Sequence, residues 1–186
     1  MSKHIDYEIN RELGECYLFM GEFDKAAEYY QKAVECGTGR AEPFMGLAAI
    51  FIQKGQLESA RKSYMNAIEM AATDKAYAGL GLVEMENSEH DAAFGHFGDS
   101  LRLAPGNMIA MNAMLQLGYK LNRVEEVLPY LEASLEEEDN DTVRFTLAGC
   151  LSHLGRNDEA RTHLEILLSK DPANSNAQEL YAHIAA

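Results

Sequence analysis

Apolar residues recur along this chain every three to four positions, in short runs separated by polar breakers. Leu13 and Tyr17 form one such run, and Phe44, Leu47 and Phe51 form the next. Three to four residues is one helical turn, so each set shares one face of an amphipathic helix. A breaker closes each run: Gly21, Gly55, Ser88, Asn122 and Gly155. Glycine there takes the left-handed conformation that ends a helix. Helix-favouring sequence resumes two or three residues later. Pro105 and Pro172 end second helices, because proline has no amide hydrogen to continue the ladder. The pattern predicts an all-α chain built from paired helices.

The pairs repeat. Leu13-Gly14 recurs as Leu47-Ala48, Leu80-Gly81, Met114-Leu115 and Leu147-Ala148, in steps of 34, 33, 34 and 33 residues. Three further columns keep the same steps. They are Ala26, Ala60, Ala93, Val127 and Ala160; Tyr30, Tyr64, Phe97, Leu131 and Leu164; and Ala33, Ala67, Ser100, Ser134 and Leu167. Columns that share one phase define an internal repeat. The small residue beside each leucine marks a close approach of two helices. The alanine column marks a second tight crossing, and the aromatic or leucine four residues on fills the adjacent gap.

These residues resemble the tetratricopeptide repeat signature. Repeat one carries it nearly whole in Leu13, Gly14, Tyr17, Gly21, Phe23, Ala26, Tyr30 and Ala33. The resemblance covers nearly all of the chain. It implies a right-handed α–α superhelix of five helix–turn–helix repeats, at 7–40, 41–73, 74–107, 108–140 and 141–174. A polar-faced capping helix is expected over 175–186. The tryptophan that often opens such a repeat is replaced by Asn10, Phe44, Tyr77, Met111 and Arg144. Repeat four departs furthest: Met114-Leu115 replaces Leu-Gly, Gly118 stands at the aromatic position, and Val127 replaces alanine. A second helix opening near Asn122 would hold Pro129 beyond its first turn, losing one ladder bond and bending there.

In this family the first helices line a concave face. The resemblance therefore assigns a groove to Arg11, Glu15 and Leu18 of repeat one, Met45, Ala49 and Ile52 of repeat two, and Lys75, Ala78, Leu82 and Met85 of repeat three. Asn112, Gln116 and Tyr119 of repeat four and Phe145 of repeat five continue it. Steps of three and four residues make these one helical stripe, opposite the packed one. Met45, Ile52, Leu82 and Met85 make its middle apolar, and a contiguous exposed apolar patch marks an interaction site. Methionine suits a surface that accepts varied apolar side chains. The same residues are alternatively buried by tight winding, or covered by the C-terminal helix or a second copy. The expected function is binding of a protein or peptide segment, apolar or basic, as an adaptor, scaffold or chaperone. A self-assembling structural module is the alternative, and a secretion-type chaperone is a special case of the first. Relatives that hold a chaperone's C-terminal carboxylate use a Lys, Asn and Arg clamp. Arg11 and Lys75 occupy two clamp positions, but Glu15 stands where asparagine is wanted, and Gly46 and Gly79 fill others. An acid repels a carboxylate, so no such clamp is expected.

Charge narrows the partner. The formal net charge is -14 and the pI near 4.8. Such a chain repels phosphate backbones and anionic membrane surfaces, though acidity also serves plain solubility. Cys16, Cys36 and Cys150 have no CxxC spacing, which argues against a disulfide framework or zinc site and fits a reducing compartment. No run approaches the ~20 apolar residues that span a bilayer. The segment Met1–Glu8 has no apolar signal core, and a cytoplasmic location is expected. His90 and His96 lie six apart around one helix start, and His153 and His163 fall in different helices. They read as exposed or capping residues, so no metal, cofactor or catalytic group is expected. Gly79-Leu-Gly81 sits inside a helix and reads as close packing rather than a phosphate loop. The run Glu136 to Asp139 opposes the dipole at a helix C-terminus. It is expected to fray, to form a solvated connection, or to attract a basic partner.

Overall fold

The computed structural model describes residues 2–37 and 39–185, and all its regular structure there is helical. The helices are α1 (Ser2–Phe19), α2 (Phe23–Glu35), α3 (Glu42–Gln53), α4 (Leu57–Met70), α5 (Asp74–Glu86) and α6 (His90–Leu103). They continue as α7 (Met108–Lys120), a 3-10 turn over Val124–Val127, α8 (Leu128–Glu137), α9 (Asp141–His153), α10 (Asn157–Lys170) and α11 (Ser175–Ala185). Two compact units result, Met1–Leu103 and Ala104–Ala186. The first stacks three hairpins, with α2 packed on α3 and α4 on α5. In the second, α8 packs on α9, α9 pairs with α10, and α11 closes against both. Five helical pairs and a final helix are the succession that the repeat columns predict. The last residue of the expected cap, Ala186, lies outside the described residues. First helix α1 has 18 residues against 12 in α3 and 13 in α5, and begins before the predicted start of repeat one at residue 7.

Each pair turns the same way. All five breakers have positive φ: Gly21 75°, Gly55 70°, Ser88 64°, Asn122 56° and Gly155 74°. The turn is also bonded alike in every repeat. In repeat one the Gly21 amide donates to the Leu18 carbonyl and the Glu22 amide to Tyr17; in repeat three Ser88 donates to Met85 and Glu89 to Glu84. These bonds satisfy the carbonyls that a helix end otherwise leaves open. The later connections between pairs use side-chain caps instead, whereas α3 opens after Ala41 without one. Thr73, Asn107 and Asn140 accept from the amides of Ala76, Ala110 and Thr142, at 3.2, 3.1 and 2.9 Å.

Rings laid across glycines hold the first unit together. The buried Tyr30 ring sits between Gly14 of its own repeat and Gly46 of the next. A Cβ on Gly14 would lie 2.8 Å from the ring, and one on Gly46 only 2.3 Å from it. Tyr64 covers Gly79 at 2.3 Å and Phe97 covers Gly81 at 2.7 Å in the same sense. The Gly79-Leu-Gly81 pair is thus a packing device within α5. Ala26, Ala60 and Ala93 are fully buried at the second crossing.

Repeat four keeps this packing by exchange. Where repeats one and two have an aromatic in the first helix, Tyr17 and Phe51, and alanine in the second, repeat four sets Gly118 against Val127. A Cβ on Gly118 would meet Val127 Cγ2 at 2.7 Å. The bend expected at Pro129 does not occur. Val124–Val127 winds as a 3-10 turn, and α8 starts afresh at Leu128 with Pro129 second. The first four amides of a helix have no internal acceptor, so the missing N–H costs nothing there. The acidic run is an exposed connection, one of the expected readings. Helix α8 stops at Glu137, Glu138 is extended, and Asp139 bridges Arg144 at 2.6 Å and Lys170 at 2.7 Å.

Candidate functional site

The first helices α1, α3 and α5 of the first unit lie side by side, α1 against α3 and α3 against α5. Their C-terminal turns carry the exposed apolar surface. Ile52 is 37% and Leu82 40% exposed, and both line a cleft of about 430 Å³ with Leu57, Val83, Met85 and Glu86. Phe19 is almost wholly exposed and Met20 largely so at the matching end of α1. Leu18 and Ala49 are half-buried beside this strip. Glu86 gives the apolar floor a negative edge.

The other half of the expected stripe is a different surface. Met45 is half-buried and packs on the cluster of Ala41, Ala67 and Ala76. It lines, with Arg40, Glu42, Asp74 and the exposed Lys75, a separate and more polar cleft of about 420 Å³. Ala78 is only 4% exposed and presents no surface. Arg11 is engaged within α1: its guanidinium lies 3.2 Å from Glu8, 3.2 Å from Glu15 and 3.4 Å from Glu12. In the second unit Asn112 and Gln116 are exposed, and Phe145 is half-buried. Tyr119 stacks edge-on against His153 at 5.0 Å and meets the Cys150 thiol at 3.8 Å. Burial, then the neighbouring Cys150, pushes the Tyr119 phenol up to about 12.

One polar cluster escaped the sequence reading. Glu84 of α5 is 1% exposed, and its carboxylate meets His96 Nδ1 at 2.6 Å and Arg61 at 3.5 Å. Arg61 reaches on to Glu89 at 3.2 Å, and the His96 ring stacks on Tyr77. Glu84 stands where repeats one and two have Tyr17 and Phe51. A charge in an aromatic column was the available signal. His96 was expected to be an exposed or capping residue; it is half-buried because it answers this carboxylate. His163 is likewise half-buried against Arg144, at 3.4 Å. Burial, then Arg144, holds its imidazole below the usual histidine range. Among the described residues no group of three or more His, Cys, Asp or Glu is placed to hold a metal, and no helix is long and apolar enough to cross a membrane.

The paired helices, left-handed turns and ring-over-glycine contacts define a tetratricopeptide repeat array. Tetratricopeptide repeat models match residues 7–36, 41–74 and 121–184, and the chain belongs to that family. The BBSome complex member BBS4 of Bos taurus is 31% identical over 115 residues, covering 60% of this chain and 22% of BBS4. The chain thus spans about a fifth of that relative's length. The solved structure of Pseudomonas aeruginosa PilF superposes with a TM-score of 0.67 at 17% identity, covering 100% of this chain and 85% of PilF. The second TPR domain of human RPAP3, solved with an HSP70 peptide, gives 0.58 at 22% identity, covering 62% of this chain and 97% of that domain. At such identities these likenesses show the fold.

Proposed function

We propose that this chain is a protein-interaction module that seats an apolar segment of a partner against the C-terminal turns of α3 and α5. The cleft of Ile52, Leu82 and Met85 carries the reading. It exposes large apolar side chains that a self-contained fold would cover, and such clusters mark binding surfaces. The RPAP3 domain, solved with a bound peptide, supports a peptide-binding use of the fold. BBS4, a member of a named complex, points the same way.

The ligand class differs from that of RPAP3. The RPAP3 peptide reads SGPTIEEVD, so it ends in acidic residues. Here Arg11 is already shared among three glutamates, and Glu86 edges the cleft. The surface therefore favours an apolar segment flanked by lysine or arginine. In this reading the module acts as an adaptor that holds its ligand without turnover.

Affinity capture from the native source tests the reading, with Leu82→Glu/Met85→Glu as the control. Leu82 is exposed and Met85 half-buried at the surface, so the variant should keep its helicity by circular dichroism and lose its partners. Equal recovery of the same partners by both proteins would refute the site.

A further inference from the structure

Helix α5 carries a second cleft on its other side. Tyr77, Leu80 and Glu84 follow one another at steps of three and four residues, on the face opposite Leu82 and Glu86. Helices α4 and α6 both pack on α5. Between them these three residues floor a cleft of about 330 Å³, at the small end of ligand clefts. Its walls are Met65, Ile68 and Glu69 of α4 with His96 and Asp99 of α6. Met65 is 47% exposed. Where repeat two has the ring of Phe51 at this register, repeat three has the buried carboxylate of Glu84, held by His96 and Arg61.

We infer that this cleft seats an arginine side chain of a partner protein. Two observations select that occupant. The first is charge. Arg61 is the lining cation, against the carboxylates of Glu69, Glu84 and Asp99. Arg61 is engaged with Glu84 and Glu89, and Asp99 is met from the surface by Arg102. Glu69 is exposed and has no ion pair among the described residues. A further cation complements this set. The second is an internal counterpart. Two repeats on, Arg144, Leu147 and His163 hold the register of Tyr77, Leu80 and His96, and Glu136 holds that of Glu69. There the chain supplies an arginine of its own. The Arg144 side chain is 13% exposed, 2.6 Å from Asp139 and 3.4 Å from His163. Repeat three keeps the histidine and the acid but has Tyr77 at the arginine position, so a guanidinium in this cleft is a partner's. Its methylene stem lies along Met65 and Ile68. Its plane lies on the Tyr77 ring, which stacks with His96 at 6.1 Å, and its N–H groups donate to Glu69 and Asp99. Lysine brings the charge without the plane.

Capped tripeptides with alanine on either side of arginine, lysine or citrulline are the probes. Citrulline keeps the shape of arginine without its charge. Each is titrated into the full chain with its methionines labelled at the methyl carbon, and followed by NMR. Salt at about 0.15 M screens the long-range pull of an acidic protein on any cation. The arginine peptide should move the Met65 methyl signal saturably and bind about tenfold tighter than the citrulline peptide, with lysine between them. Glu69→Gln/Asp99→Asn, at the rim of the cleft, should remove the preference for arginine over citrulline. Tyr77→Leu should bring arginine and lysine to equal affinity. Free arginine, which carries its own carboxylate, should bind more weakly than the capped peptide. No saturable shift at Met65, equal affinity for arginine and citrulline, or a preference that survives Glu69→Gln/Asp99→Asn would overturn the inference. So would tighter binding of free arginine, which would make the cleft a small-molecule site. Met85 reports on the other cleft in the same spectra and should stay unmoved, so the two surfaces are tested separately.

Discussion

Gly46→Ala tests whether ring-over-glycine packing sets the spacing between repeats. In most helices this substitution stabilises, because alanine is favoured over glycine in a helix interior by about 1 kcal/mol. Here the added Cβ would stand 2.3, 2.5 and 2.6 Å from three carbons of the Tyr30 ring. Ordinary contact begins more than an ångström further out. The ring cannot step aside, because Gly14 confines its other face, where a Cβ would lie 2.8 Å away. Overpacking of this kind costs about 1–3 kcal/mol. Set against the helix gain, Gly46→Ala should destabilise by up to about 2 kcal/mol. Gly95 of α6 is the internal control: a Cβ there meets nothing within 4 Å. Gly95→Ala should therefore stabilise by about 1 kcal/mol.

Urea unfolding followed by circular dichroism at 222 nm would measure both, compared at constant m-value. The decisive arm is Gly46→Ala in a Tyr30→Leu background. With the ring gone, the substitution should change sign and stabilise as Gly95→Ala does, giving a coupling between the two sites. Stabilisation by Gly46→Ala alone, or a penalty that persists without the ring, would refute the packing account.

Three further outcomes follow from particular contacts. Ser88 holds φ at 64°, a conformation that costs a side chain about 1–2 kcal/mol. Ser88→Gly should raise the urea midpoint, and by more than Asn122→Gly, because asparagine tolerates that region better; the reverse order would count against the turn reading. His96→Leu leaves the buried Glu84 carboxylate with Arg61 alone, and should cost about 1–3 kcal/mol. Glu84→Leu/His96→Leu together should recover most of that loss, and a double variant worse than the single would refute it. Hydrogen bonds from Arg144, then Lys170, hold the Asp139 carboxyl down at about 2. A depressed folded value means stability present above the unfolded carboxylate range and lost as pH falls. Asp139→Asn should flatten the acid limb of stability between about pH 4 and pH 2; an unchanged limb would sink the assignment.

What was legible in the sequence was whatever depends on local geometry repeated in phase. The five breakers are visible because a left-handed residue must end each first helix, and the columns are visible because each crossing needs one small and one large residue. Repeat four was misread for the same reason. Gly118 and Val127 look like two defects in two columns, yet across the crossing they are one exchange of bulk. Pro129 was placed inside a helix because the preceding turn was taken as α rather than 3-10. The groove was legible as a face but not as a site. Met45 and Ile52 are seven residues apart, about two turns or ~10.5 Å along the axis. A stripe can name both, but two separate clefts hold them. Depth was not legible at all: Ala78 shares the stripe and is buried.

The departures from the repeat are where this chain acquires its individuality, and they follow a rule. A charge placed in an apolar column is answered by an ionisable group of the same unit. Glu84 takes an aromatic position and is answered by His96; Arg144 takes the position where many relatives have tryptophan and is answered by Asp139, with His163 also in reach. His96 and His163 themselves occupy one repeat position, two repeats apart. One faces a carboxylate and the other a guanidinium, so the same imidazole site has been turned to opposite neighbours. Each of these substitutions finds an ionic partner within its own unit. Glu12 meets the rule only in part. It stands in the glycine column of Gly46 and Gly79, on an open face, with only a shared guanidinium in answer.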